Sequence, residues 1–271
     1  MNAGSYTSKK KLAEKVKVEK APMFSTTEVF SLKIIFSLLF LALIPILLYN
    51  PNISLGPLDV FRKDFFRTEL VVSGAKYNVD GLSTAISNGD MKSIKLYVNS
   101  NMNLNELSKT GKSPLCLACE TGNVDIVNLL LQGDVNLVRR NTSDGLTPIF
   151  CAVKSNNVGM LERLKDAGIR VDVRSPYNNG ISPLHYAATL GADAIVDFLI
   201  KNGVDVNSVD LLGKTPLHYA ATQNNPMVVL ELINFGASLN AQDSEGHTPL
   251  DVAKTANNEY VIKLLTRAGA T

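Results

Sequence analysis

Gly213-Lys214-Thr215-Pro216-Leu217-His218-Tyr219-Ala220-Ala221 has a near twin upstream in Gly180-Ile181-Ser182-Pro183-Leu184-His185-Tyr186-Ala187-Ala188. Weaker copies begin at Gly111, Gly145 and Gly246. The starting glycines are spaced by 34, 35, 33 and 33 residues. A fixed period of this size marks a stacked-repeat array, in which each unit is one supersecondary element that buries its apolar face only against its neighbours.

Each column of the repeat has a physical reason. Ser113, Thr147, Ser182, Thr215 and Thr248 stand where a helix N-cap is needed, since a hydroxyl there accepts an orphan backbone N–H. Pro114, Pro148, Pro183, Pro216 and Pro249 follow at the first helical position, where the missing N–H costs nothing. The alanine column reads Ala118, Ala152, Ala187, Ala220 and Ala253. Four residues later come Gly122, Asn156, Gly191, Asn224 and Asn257, the two residue types that best tolerate a left-handed helix stop. A second helix follows. Its apolar face is Val127, Leu161, Val196, Val229 and Ile262, then Leu130, Leu164, Leu199, Leu232 and Leu265 three residues on. In the same phase a degenerate first copy is expected, with Asp80 as cap, Ala85 in the alanine column, Gly89 as stop and Ile94 and Tyr97 as apolar positions; Gly81 and Ser83 replace its proline and histidine.

The pattern resembles the ankyrin repeat, whose core reads G-x-T-P-L-H-x-A-A. The resemblance spans residues 78–271 and implies an all-α solenoid of helix-turn-helix units with β-hairpin-like fingers. The repeats run approximately over 78–108, 109–141, 142–176, 177–209, 210–242 and 243–271. It also implies a recognition scaffold that binds a partner protein on a concave surface made of finger tips and exposed first-helix ends. Those columns are Lys109, Thr110 and Lys112 with Glu120 and Thr121, then Ser143, Asp144 and Leu146 with Lys154 and Ser155. The later sets are Asn178, Asn179 and Ile181 with Thr189 and Leu190; Leu211, Leu212 and Lys214 with Thr222 and Gln223; and Ser244, Glu245 and His247. Leu211, Leu212 and Ile181 stand out as apolar anchors at the centre of the array, because energy in an interface concentrates in a few central apolar groups. In ankyrin-like repeats His185 and His218 would tie fingers together and not ligate metal.

Composition agrees with a binding role. Of 271 residues, 45% are hydrophobic and 19% charged, and the net charge is +2, so no global field draws nucleic acid. Tryptophan is absent, which removes the best base-stacking residue. The three histidines lie at 185, 218 and 247, and no nucleophile elbow, zinc helix motif or P-loop occurs. No enzyme activity, cofactor or metal is expected. Cys116 and Cys119 form a C-x-x-C, but the phase puts both on one first helix, Cys116 in the histidine column and Cys119 in the second-alanine column. They read as small buried residues, and with Cys151 they say little about redox compartment.

Upstream of the repeats, residues 1–28 read as a basic disordered tail. Residues 29–49 read as a transmembrane helix: no charge occurs from Ile34 through Leu58. The apolar core from Ile34 to Tyr49 spans roughly 24 Å at helical rise, and extension through Leu32 and Phe30 brings it to bilayer thickness. Seven lysines, Lys33 included, stand before the uncharged stretch that begins at Ile34, and four basic residues follow it before residue 78. That count favours a single-pass protein with a cytoplasmic N-terminus and the repeats on the opposite side. Asn141-Thr142-Ser143 would be a glycosylation acceptor in a eukaryotic secretory compartment. The alternative is a secreted effector or toxin-antidote module in which the same segment is an export signal. Residues 50–77 form a linker with a short amphipathic helix, Leu58–Leu70, whose apolar face is predicted as Leu58, Phe61 and Phe65. It would lie on a bilayer or, more in keeping with an exposed first repeat, cap the array.

Overall fold

A computed structural model of the chain describes residues 59–135, 146–176 and 178–271, with side chains from residue 62 onward. The predicted tail, the predicted membrane span and the linker to residue 58 lie outside the described residues. So do Ser143, Asp144 and the Asn141 sequon. Among the described residues no helix is long and apolar enough to cross a membrane.

The elements are short helices taken in pairs. They are α1 (Asp59–Val72), α2 (Val79–Asn88), α3 (Met91–Asn99), α4 (Pro114–Thr121), α5 (Val124–Leu130), α6 (Pro148–Lys154), α7 (Val158–Asp166), α8 (Pro183–Leu190), α9 (Asp193–Lys201), α10 (Pro216–Thr222), α11 (Pro226–Asn234), α12 (Pro249–Thr255) and α13 (Glu259–Ala268). Helices of 7–10 residues are unstable alone in water, so packing must hold them. First helices pack on first helices and second on second: α2 on α4, α4 on α6, α6 on α8, α8 on α10 and α10 on α12, with α3, α5, α7, α9, α11 and α13 as the outer layer. No β-strand forms among the described residues, so the fingers are hydrogen-bonded turns and the hairpin expectation holds only loosely.

The predicted columns account for the core. Ala118, Ala152, Ala187, Ala220 and Ala253 have no exposed surface, which lets first helices approach closely. Val127, Leu161, Val196 and Val229 are fully buried, as are all five leucines of the next column. Ile262 is half-buried, as expected in a terminal repeat. Each fully buried leucine contributes about 1.5–3 kcal/mol. The helix stops are left-handed at every predicted position, with φ of 72° at Gly122, 51° at Asn156, 73° at Gly191, 56° at Asn224 and 55° at Asn257.

Asparagines tie the pairs together in a ladder that the sequence motif does not include. Asn157 Nδ2 donates to Gly122 O at 3.1 Å, Asn225 Nδ2 to Ala188 O at 2.9 Å and Asn258 Nδ2 to Thr222 O at 3.0 Å. Each stands just before a second helix and satisfies carbonyls at the end of the preceding repeat's first helix, groups that otherwise lack a partner.

The first repeat departs from the expected phase. α2 starts at Val79 with Asn78 as its cap, whose side chain accepts from Gly81 N. Asp80 lies inside the first turn and instead accepts from Lys109 N at 2.9 Å. Gly81, in the vacant proline column, sits under a crossing: the Tyr97 hydroxyl donates to Lys76 O at 2.6 Å, and a Cβ on Gly81 would overlap both groups. Alanine in a helix interior is normally favoured over glycine by about 1 kcal/mol. Here Gly81→Ala is expected to destabilise the chain by about 1–3 kcal/mol, because the obstacle includes backbone. A lowered urea midpoint checks the sign.

α1 is also rotated from the expected face. Phe66 and Leu70 are the buried pair, whereas Phe65 is 40% exposed and Phe61 lies outside the described side chains. The Arg67 guanidinium sits 4.4 Å over the Tyr77 ring, and Tyr77 stacks on Tyr97 of α3. α1 therefore points its apolar pair into the protein and is tied to the first helical pair.

Candidate functional site: fingers and first-helix ends

The finger turns are fixed by the same chemistry in successive repeats. In the fifth, Asp210 Oδ1 accepts from Leu212 N at 2.9 Å and Lys214 N at 2.8 Å, and Asp210 N donates to Lys214 O at 3.0 Å. In the sixth, Asp243 Oδ1 accepts from Glu245 N at 3.0 Å and His247 N at 2.9 Å. Burial alone would raise the Asp243 pKa, but these two N–H donors, helped by the nearby histidines, outweigh it and hold the carboxyl below its ordinary range. The hydroxyl of Tyr219 donates to Asp210 Oδ2 at 2.6 Å; burial, then this bond to the carboxylate, pushes the phenol's pKa up.

Consecutive tips are joined edge to edge. Leu211 N donates to Asn179 O at 2.8 Å and Ser244 N to Leu212 O at 2.9 Å. Arg174 reaches across to Val209 O. The fourth tip is wound left-handed at three residues running, with φ of 51° at Asn178, 57° at Asn179 and 70° at Gly180. Asparagine and glycine are the residues for which this costs least.

The two histidines of the motif lock fingers to helices. The rings of His185 and His218 have almost no exposed surface. His185 Nδ1 lies 3.2 Å from the Ser182 backbone N–H and its Nε2 2.9 Å from Lys214 O. His218 Nδ1 lies 3.1 Å from the Thr215 N–H and its Nε2 3.0 Å from His247 O. A carbonyl can only accept, so Nε2 carries the proton and Nδ1 accepts. In the last repeat Asp251 replaces the ring, its carboxylate accepting from Thr248 N at 3.0 Å. In the third, Phe150 offers no nitrogen, and the Thr147 hydroxyl is left buried without a partner. Thr147 therefore caps by position alone.

The sequence-predicted contact residues separate into three groups. Leu211 is 81% exposed, and Leu190 and Leu212 are also exposed. Lys109, Thr110, Thr121, Asn178, Asn179, Thr222, Gln223, Ser244, Glu245 and His247 are exposed too, and Thr189 is half-buried. Ile181 belongs elsewhere: it is 7% exposed, so the apolar anchor expected there is part of the core, and Leu146 is likewise buried. Lys112, Glu120 and Lys154 are occupied with one another: Glu120 Oε1 meets Lys154 Nζ at 3.2 Å and its other oxygen pairs with Lys112. That cluster spans repeats two and three and offers a partner less charge than three free side chains would. At the other end, Lys214, Thr222, Glu245 and His247 line one shallow groove with Asp243, Val252, Thr255 and Ala256. Among the described residues no group of three His, Cys, Asp or Glu is placed to hold a metal ion.

The family model "Ankyrin repeats (3 copies)" matches residues 82–175, 133–210 and 184–271. The chain belongs to the ankyrin-repeat family. Relatives include an ankyrin repeat protein of Rickettsia felis, 27% identical over 50% of this chain and 45% of its own length. Another, from Acanthamoeba polyphaga mimivirus, is 30% identical over 47% of this chain and 16% of its own. α-Latrotoxin-Lg1a of Latrodectus geometricus is 28% identical over 37% of this chain, which matches only 7% of that toxin's length. Among solved structures, a chain of the complex between a predatory endopeptidase from Bdellovibrio bacteriovorus and an immunity protein is 32% identical. It superposes with a TM-score of 0.60 over 69% of this chain and 96% of its own.

The cysteines are the residues that the motif reading misjudged. Cys116 and Cys119 are buried as expected, but Cys116 forms a disulfide with Cys151 of the next ankyrin repeat, Cα to Cα 5.5 Å, and Cys119 stays a free buried thiol. Burial, then the charge of Glu120, pushes the Cys119 pKa up and keeps it protonated. The pairing is visible in the columns once neighbouring first helices are compared. Cys116 stands in the histidine column and Cys151 in the tyrosine column, the two that meet as His185 and Tyr219 two repeats later, with ring centroids 5.5 Å apart.

Proposed function

We propose that the chain is a protein-binding ankyrin module held at a membrane by the apolar segment at 29–49, and that it captures its partner on the finger tips and first-helix ends. The observation that carries the binding face is the contrast within the repeat. The residues of the motif are buried in caps and tethers, while Leu190, Leu211 and Leu212 face solvent beside them. Apolar groups on a hydrogen-bonded, pre-set turn cost little to order on binding. The disulfide supports the sidedness that the lysine count favours, because such bonds persist in oxidising compartments.

A second reading comes from the solved complex with an immunity protein: the partner would be an enzyme that the module restrains, which is the toxin-antidote alternative in a specific form. Both readings assign binding and no catalysis to this chain.

Protease protection of sealed vesicles carrying the full chain tests the anchor and its sidedness. The expected result is a chain that stays with the membrane in alkaline carbonate and whose repeats are cut from one side only. A soluble product beginning after residue 49 would replace the anchor with the export reading.

A further inference from the structure

Three successive junctions between first helices use the same two columns. Cys116 meets Cys151 as a disulfide. Phe150 meets Tyr186 with ring centroids 5.9 Å apart, and His185 meets Tyr219 edge-on at 5.5 Å. The histidine junction carries a further tether, from the ring Nε2 to the next finger's carbonyl. At the junction of repeats two and three Cys116 fills the histidine column, so no ring nitrogen is available there; Phe150 leaves the next junction without one too, and with it the Thr147 cap hydroxyl unpartnered. The histidine lock is thus missing at two successive junctions, and at the first of them the chain places a covalent bond instead.

We propose that Cys116 and Cys151 form a redox staple that couples repeats one and two to the rest of the array, so that the module behaves as one cooperative unit only when the staple is closed. A solenoid's stability is the sum of its repeats and their interfaces, so one weak interface lets one end open without the other. Repeat one is degenerate and depends on its neighbour. The disulfide closes a loop of 35 residues across that interface, and such a link acts mainly by limiting the opened chain. Closure needs an acceptor disulfide, as carried by a thiol–disulfide oxidoreductase or oxidised glutathione. The two thiols give up two protons and two electrons, the acceptor's S–S bond breaks, and two acceptor thiols leave. Cys119, one turn along α4 from Cys116, does not compete: it is Cys116 that faces Cys151 across the junction, and Cys119 stays a free buried thiol. The module therefore matures on reaching an oxidising compartment and loosens at its membrane-proximal end in a reducing one.

The test uses the full chain in detergent, with oxidised glutathione or with dithiothreitol. Peptide mapping without reductant is expected to give one linked pair, Cys116 with Cys151. Hydrogen exchange should show residues 79–130 exchanging at least tenfold faster after reduction, with residues 183–268 unchanged. The double variant Cys116→His with Cys151→Tyr rebuilds the histidine junction and should keep residues 79–130 protected in dithiothreitol. If serine variants at both cysteines fail to fold, reduction of the already folded wild-type chain still gives the reading. Equal exchange in oxidised and reduced protein, a linked pair that includes Cys119, or equal loosening of both regions overturns the proposal.

Discussion

Replacing Leu211 and Leu212 together by aspartate is expected to weaken partner capture by more than about 100-fold while leaving the array folded. Burying an exposed leucine in an interface contributes about 1.5–3 kcal/mol, and each 1.4 kcal/mol is tenfold in affinity. The two residues occupy the tip of the fifth finger, between the tips of the fourth and sixth. Their backbone groups do the structural work: Leu211 N bonds Asn179 O, and Leu212 O accepts from Ser244 N. Their side chains do not, since Leu211 is 81% exposed and merely rests over Gly180. Aspartate keeps the backbone bonds and changes what is presented. A photo-crosslinking residue at Gln223, on the neighbouring first-helix end, reports capture in cells that express the full chain before the partner is identified. Loss of the adduct with unchanged helical circular dichroism is the expected pair of results. An undiminished adduct would place the binding face elsewhere, with the Lys214, Glu245 and His247 groove as the next surface to change.

Much of this architecture is legible because a repeat exposes each position several times. Five copies fix the phase, and the phase fixes caps, helix stops and the buried alanine and leucine columns. Errors arise where a position is read alone. Asp80 reads as a cap by column, yet Asn78 caps the helix through Gly81 N, and Asp80 accepts from Lys109 N of the next finger instead. Ile181 looked like an exposed anchor by analogy with Leu211 and Leu212, but its finger is wound left-handed at 178–180 and brings it into the core. The buried face of α1 runs through Phe66 and Leu70 and not Phe65, and one position along a helix is about 100° around it. Lys112 and Glu120 looked like contacts, and only three-dimensional proximity shows that they pair with each other. The disulfide was hidden for a related reason. Cys116 and Cys151 are 35 residues apart and fall in different columns, so comparing like with like never brings them together. The register between neighbouring first helices does.

Alanine at both His185 and His218 is expected to cost about 3 kcal/mol for each ring, enough to bring the array near unfolding. Each replacement leaves a cavity, removes one of the two donors to a finger carbonyl, Lys214 O or His247 O, and strips the buried cap N–H of Ser182 or Thr215 of its ring acceptor. An orphaned buried donor costs about 1–3 kcal/mol by itself. The same geometry sets a pH dependence. Burial, the largest cause, lowers both pKa values, although the finger carbonyls favour the charged form. Protonation would also set an N–H on Nδ1 against the cap residue's own N–H. The folded state therefore binds these protons less readily than the unfolded chain, whose histidines titrate near pH 6.5. Stability from the pair is complete above that value and is lost as pH falls below it toward the lowered folded values. The urea midpoint should drop between pH 7.5 and 5. Asp243 and Asp251, also lowered, act in a separate window: their contribution is present above the ordinary carboxylate range and is lost only at more acid pH. Phe150 shows that this column accepts an aromatic ring with no nitrogen. The double variant His185→Phe with His218→Phe should thus remain folded, unfold at lower urea than the wild type, and lose the midpoint's dependence on pH between 7.5 and 5. A pH dependence that survives in that variant would assign the acid sensitivity to groups other than the finger tethers.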